Sequence, residues 1–149
     1  MEKLIKSSID DELEKGIKIL EPVDAYKFAL ICSEHALNFF EFKDNTNINK
    51  ALQTINNNLE NVDKELAKNI SLVINEEAKN VENVNTSLFY ILKAFSHTVA
   101  VLYNKENAIY SAIYSATAIY NKTKNKKTYK DEKLYQLEKL NKFLIMYEE

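Results

Sequence analysis

The chain has 149 residues, with 20 lysines and no arginine, 22 acids, two His, one Cys, one Gly, one Pro and no Trp. An apolar content of 46% excludes a disordered chain, and one Gly with one Pro leaves too little turn chemistry for a β-sandwich or barrel. The single Cys excludes an intramolecular disulfide and a cysteine-rich zinc site and fits a reducing cytoplasm, while a formal charge of −2 is not that of a dedicated nucleic-acid binder.

Apolar residues recur at spacings of three and four along nearly the whole sequence, the mark of amphipathic helices. Met1 to Lys6 run into Asp10, Asp11 and Glu12 with no apolar stretch, which predicts no secretory signal. Ile9, Leu13, Ile17 and Leu20 form a first stripe on an otherwise polar helix, expected to be peripheral over residues 1–22. Pro22 disfavours helix at Glu21 and ends this segment. Asp24 is the expected N-cap of a second helix over residues 24–42. There Ala25, Phe28, Ala29, Cys32, Ala36 and Phe39 share one face, widened by Tyr26, Leu30, Leu37, Ile31 and Phe42, so neighbours should wrap it.

A turn is expected at Asp44, Asn45, Thr46 and Asn47, then a short helix with the stripe Ile48, Leu52, Ile55 and Leu59. The fourth helix, over residues 62–81, is expected to bury Val62, Leu66, Ile70, Val73 and Val81. A fifth starts at Asn85 or Thr86 and runs to residue 103. It carries Leu88, Ile91, Leu92, Phe95, Val99 and Leu102 on one side, with Tyr90, Ala94, His97 and Val101 roughly opposite. Residues 108–120 align Ile109 with Ile113 and Tyr110 with Tyr114, and Ser111, Ala112, Ser115 and Ala116 let another helix approach closely. The longest uncharged run, residues 107–121, falls short of the ~20 apolar residues of a membrane span, so no membrane partner is expected. Residues 121–130 read as a basic turn holding five lysines, and Leu134, Leu137, Leu140 and Leu144 mark a last helix over residues 131–147. With no inter-domain linker and no long repeat, residues 1–149 should form a single-domain, all-α antiparallel bundle of six or seven helices.

Charge is uneven. Residues 1–65 carry eight Lys and 13 acids, a balance of −5, whereas residues 122–142 carry eight Lys and three acids, a balance of +5. Such a surface is ordinarily just solvated; its sharper meaning is an acidic half that docks a basic partner. Lys122 to Lys130 with Tyr129 has the composition of a phosphate grip, yet lysine alone lacks arginine's bidentate base recognition. The absence of Arg beside 18 Asn points to AT-rich coding bias, and no nucleic-acid partner is expected.

Chemistry-bearing sets are few. Cys32 and His35 lie one helical turn apart and, with His97, are the residue types of a three-ligand zinc site with one open position. A thiol in an apolar stripe usually acts as a small hydrophobe, and helical His are usually hydrogen-bonded core residues, so no metal or cofactor is expected. Gly16 alone cannot build a nucleophile elbow or a phosphate-cradling loop, and Glu76, Glu77 and Glu82 read as surface acids. No catalytic residue emerges, and the chain is not expected to be an enzyme.

Three stretches carry a resemblance. The first is Ala29-Leu-Ile-Cys32-Ser-Glu34-His-Ala-Leu37-Asn-Phe-Phe40-Glu41, and the second is Lys50-Ala51-Leu52-Gln-Thr-Ile55. The third runs from Ala94-Phe-Ser-His97-Thr-Val99-Ala100 through Leu102-Tyr103 and Asn107-Ala108-Ile109 to Ala112-Ile-Tyr114-Ser-Ala116-Thr-Ala118-Ile. Over residues 24–120 the chain resembles the Imm-5-like immunity proteins of bacterial polymorphic-toxin and bacteriocin systems. It departs from them at Tyr103 and Asn107, where the family often has histidines, and at Tyr110, where it has a glycine.

The resemblance implies a cytoplasmic protein that binds and neutralises a cognate toxin by occlusion, without catalysis. Aromatic anchors off the core stripes would then be Tyr90, Tyr129, Tyr135 and Tyr147. Two other classes share the composition: a helical interaction module such as a phage-encoded inhibitor of host defence, and a metal-binding enzyme or sensor using Cys32, His35 and His97.

Overall fold

Caps and breakers set most helix ends. The computed structural model describes residues 4–41 and 46–148. Helix α1 (Ser8–Ile19) starts where the Ser7 amide donates to Asp10 Oδ2 at 2.8 Å. Helix α2 (Pro22–Leu37) opens two residues before the expected cap, because proline at the first helical position has a suitable φ and lacks an amide that would be orphaned there anyway. It ends at Leu37, short of the expected residue 42; Phe42, Asp44 and Asn45 lie outside the described residues. Thr46 and Asn47 are not turn residues but the first turn of α3 (Thr46–Asn56), and a 3₁₀ turn at Leu59–Asn61 follows.

Helix α4 (Lys64–Val81) is capped by Asp63, which accepts from the Glu65 amide at 2.9 Å. Asn85 caps α5 (Thr86–Ala100), accepting from the Leu88 amide at 3.1 Å. Helices α6 (Asn107–Thr123) and α7 (Lys126–Tyr147) leave only Lys124 and Asn125 between them. The basic turn expected over residues 121–130 is therefore mostly helix. Lys124 adopts a left-handed backbone (φ 52°), and Asn125 accepts from the amides of Lys127 and Thr128 at 2.9 and 3.0 Å. That cap starts α7 five residues earlier than its apolar stripe indicates.

The described residues form an all-α bundle of seven helices around a core centred on α2, α5 and α6. Residues 111–119 of α6 are all buried, as their small side chains and close neighbours require. Where the three helices meet, Thr98 Oγ1 lies 3.1 Å from Ser33 Oγ and 2.7 Å from Ser111 Oγ, and all three hydroxyls are satisfied around the Ala29 carbonyl. On the far side of α5, α4 docks through a reciprocal pair: Ser71 Oγ donates to the Ser96 carbonyl and Ser96 Oγ to the Ser71 carbonyl, each at 2.9 Å.

That docking rotates α4 away from its expected face. Ala67, Ser71, Ile74 and Ala78 are buried, whereas Leu66 is 41% and Val73 60% exposed. Small residues predominate on this face because two helices held by backbone-directed hydroxyls approach closely, with Ile74 packed beside them. Helix α7 differs similarly: it buries Glu132, Lys133, Gln136 and Leu140 and exposes Leu134. Helix α1, expected to be peripheral, packs on α6 and α7 with Leu13, Ile17 and Leu20 buried. Its Gly16 permits this, since a Cβ there would stand 2.6 Å from Leu140 Cδ2.

Candidate functional site

The Cys32, His35 and His97 set does not converge. Cys32 is fully buried in α2, where burial, reinforced by the nearby Glu132 carboxylate, pushes its thiol pKa up. His35 Nδ1 lies 2.7 Å from Glu132 Oε1, and its ring stacks on Tyr135 with centroids 3.8 Å apart and meets the Phe39 edge. His97 is committed elsewhere: Nδ1 is 2.7 Å from Asn107 Oδ1, and the ring stacks on Tyr114. Burial pushes its pKa below the usual imidazole range, which favours the neutral ring at pH 7. Among the described residues, no three His, Cys, Asp or Glu side chains are grouped to hold a metal.

The structure brings together a set of charges that sequence reasoning missed. Lys133 is fully buried, with Nζ 2.5 Å from Asp10 Oδ1 and 2.7 Å from Gln136 Oε1. Gln136 Nε2 in turn donates to the Ala112 carbonyl at 3.0 Å, so one network joins α1, α6 and α7. Beside it, Glu132 is 2% exposed, and burial pushes its carboxyl pKa up against the opposing pull of His35 and Lys133. Charge alone made these residues look solvated. Their spacing carried the available signal, for 133, 136 and 140 recur at three and four on the face that Leu140 shares.

The four aromatic candidates have internal partners. Tyr90 is 6% exposed and packs against Phe89 and Tyr114. The Tyr129 hydroxyl donates to the Ile5 carbonyl at 3.3 Å, and the ring meets the Tyr120 edge-on. Tyr135 covers His35 and lies beneath the Lys139 ammonium. Tyr147 pins the end of α7 to the start of α2: its hydroxyl accepts from the Glu21 amide at 2.7 Å and donates to Asp24 Oδ2 at 2.6 Å. Of these, Tyr147 is 37% exposed, and around the α5–α6 connection Tyr103 and Tyr110 are 37% and 42% exposed. Tyr110 belongs to the His97 cluster, with ring centroids 5.5 Å apart. Both tyrosines stand out in the sequence as departures from the resembled pattern, the one signal that marks them.

Concavities among the described residues include a shallow one of about 320 Å³ along α1, lined by Asp11, Glu14, Lys15 and Lys18, and two between helices. One, of about 350 Å³, lies between α3 and α4 beside the exposed Val73. The other, of about 120 Å³, lies between α1 and α6 and is bounded by Tyr110. Of the surface acids, Glu76 pairs with Lys79 at 3.3 Å and Glu77 accepts from Asn47 Nδ2 at 3.2 Å. No described helix is long and apolar enough to cross a membrane.

Compared with known proteins, residues 21–143 match the model of a family described as "Imm-5 like putative immunity protein". No curated protein and no solved structure matches the chain.

Proposed function

The chain belongs to the Imm-5 like family of immunity proteins, and on that premise we propose that it binds a cognate bacterial protein toxin and neutralises it by occlusion, without chemistry of its own. The family match is the observation that carries this reading. The disposition of the reactive groups supports it. Cys32 is sealed in the core, His35 and Glu132 are spent on each other, and His97 is tied to Asn107. A nucleophile or general base has to reach a substrate, and these side chains hold helices together instead.

Occlusion asks for a pre-folded body that presents a fixed surface, because ordering a loose segment on binding would subtract from affinity. The buried ion pair, the Ser71–Ser96 pair and the Tyr147 clasp each fix one helix against another. Toxicity in the cytoplasm would make that compartment the place of action, with opposite charges speeding capture.

The test is co-expression with the toxic domain encoded beside this chain's gene, together with a mixing assay on the purified pair. Growth should be restored and toxin activity abolished at equimolar ratio. Equal killing with and without this chain, and no complex on mixing, would overturn the proposal. Protection should also survive Cys32→Ala and His97→Gln, since neither side chain reaches a partner in this mechanism.

A further inference from the structure

We infer that the lysine-rich end of the bundle, where α6 turns into α7, is the surface that meets the toxin, and that it docks an acidic face of that protein. The inference rests on the immunity reading and names the surface that would perform it.

Charge gathers at this end without being matched. Lys122, Lys124, Lys126, Lys127 and Lys130 are all exposed, with no acid between them. Lys124 Nζ donates to Asn121 Oδ1 at 3.3 Å, a neutral partner that leaves its charge in place. The exposed Lys6 joins the group, because the neighbouring Ile5 carbonyl accepts from the Tyr129 hydroxyl. The start of α5 reaches the same end through Asn121, which donates to Ser87 Oγ at 3.0 Å, and residues 83–87 are uncharged. The carboxylates there are Asp131, 3.4 Å from Lys127, and Glu41, next to the Phe40 ring that lies under Lys122. Even with Glu82 at the end of α4, six ammoniums face three carboxylates. The acids of the N-terminal half form no comparable surface. Asp10 pairs with the buried Lys133, and Asp11 and Glu14 share one shallow concavity with Lys15 and Lys18.

The placement of these lysines opposes the local rules of stability. A helix N-terminus carries partial positive charge and favours acids, which α1 and α4 have in their first turns. Helix α7 has none there and opens on Lys126 and Lys127, with Lys130 one turn from Lys126 as a like-charge pair. Lys122 and Lys124 complement the negative end of α6, but Lys124 adopts a left-handed backbone that glycine or asparagine holds at less cost. Lysines elsewhere do serve the fold: Lys79 and Lys142 pair with acids one turn away, Lys133 meets Asp10, and Lys105 closes the end of α1. Coding bias supplies lysines anywhere in the chain and does not account for their concentration at an unfavourable helix end. Local rules broken without compensation mark a functional surface, and an acidic partner supplies the missing charge while hastening encounter.

A protein face fits this surface better than a nucleic acid. There is no arginine to read base edges, and the Tyr129 ring packs edge-on with Tyr120. The chain as a whole carries −2, which repels an extended polyanion beyond the patch.

The experiment measures binding of the purified toxic domain encoded beside this chain's gene, and urea unfolding, for four proteins: the wild type, Lys126→Glu, Lys126→Glu/Lys130→Glu and Lys15→Glu/Lys18→Glu. The last makes the same change of net charge on α1. Lys126→Glu should weaken binding roughly 10-fold and the α7 double reversal roughly 100-fold, chiefly through a slower on-rate that loses its salt dependence. Lys126→Glu should at the same time raise the urea midpoint, because it puts an acid in the first turn of α7 one turn before Lys130. The α1 reversal should leave Kd within about threefold. If the toxin binds the wild type and both α7 variants equally well, or the α1 reversal costs as much as the α7 one, the basic end is refuted while the immunity reading stands. A lower urea midpoint for Lys126→Glu would mean that this lysine serves the fold, and overturns the argument. Binding of a short DNA duplex in place of the toxin would overturn it in favour of a nucleic acid. If the wild type neither binds nor neutralises the toxin, the functional reading falls and takes this surface with it.

Discussion

Replacing Lys133 with methionine would isolate the buried charge network. Methionine keeps most of the apolar stem and deletes the ammonium, leaving the Asp10 carboxylate, 6% exposed, opposite no cation and Gln136 Oε1 without its donor. Removing one partner of a buried pair destabilises by about 3–5 kcal/mol, because the other charge stays out of water uncompensated. Against a total stability of about 5–15 kcal/mol that is a large fraction, and for a chain of this size it lowers Tm by roughly 6–20 °C. The double variant Asp10→Asn/Lys133→Met removes both charges, while the asparagine carbonyl can still accept from the Ser7 amide, so it should return to within about 2 kcal/mol of wild type. Urea unfolding at pH 7, followed by far-UV circular dichroism, measures all four corners of the cycle. A loss below about 1 kcal/mol for Lys133→Met, or single losses that simply add in the double variant, would refute the buried pair.

Glu132 sets a pH dependence. Its folded-state pKa is raised by burial, so the native state holds that proton more tightly than the unfolded chain, and stability is lost as pH rises from about 4.3 through the raised value. Glu132→Gln should therefore gain on wild type between pH 4 and pH 7, by about 1.4 kcal/mol per unit of displacement; an equal difference at both pH values would contradict this. At Gly16, alanine raises helix propensity by about 1 kcal/mol but drives its Cβ into the buried Leu140, so Gly16→Ala should be neutral or up to about 2 kcal/mol destabilising. A clear gain in the urea midpoint would show that α1 does not sit this close to α7. Native Cys32 should resist a disulfide reagent that labels it promptly in denaturant, being fully buried with its thiol pKa pushed up. Equal labelling rates in both conditions would mean α2 is not enclosed.

Local chemistry made much of the bundle legible. Helix α5 starts at Thr86, where its opening was read, Ile48, Leu52 and Ile55 are buried as their spacing required, and the doubly apolar α5 is central. The N-cap role of Asn125 was not read, because the lysines around it carry no apolar period. The face of α4 was misread for a different reason. Pattern reasoning assigns the largest apolar side chains to the core, but it does not register that the Ser71–Ser96 pair turns the face of Ala67, Ser71, Ile74 and Ala78 inward.

Periodicity, composition and turn chemistry act within about one helical turn, so the amino-acid order alone determined the helical class, a count of six or seven helices and the approximate position of most helix ends. The partners across the bundle obey no such local rule. That Lys133 meets Asp10, that His35 meets Glu132, and that Tyr110 lines one cavity with Ile17 were decided only when helices distant in the chain packed together. Burying an ion is favourable only if a distant residue supplies the opposite charge, and a pocket exists only where two surfaces fail to close, so neither has a signature in a single segment.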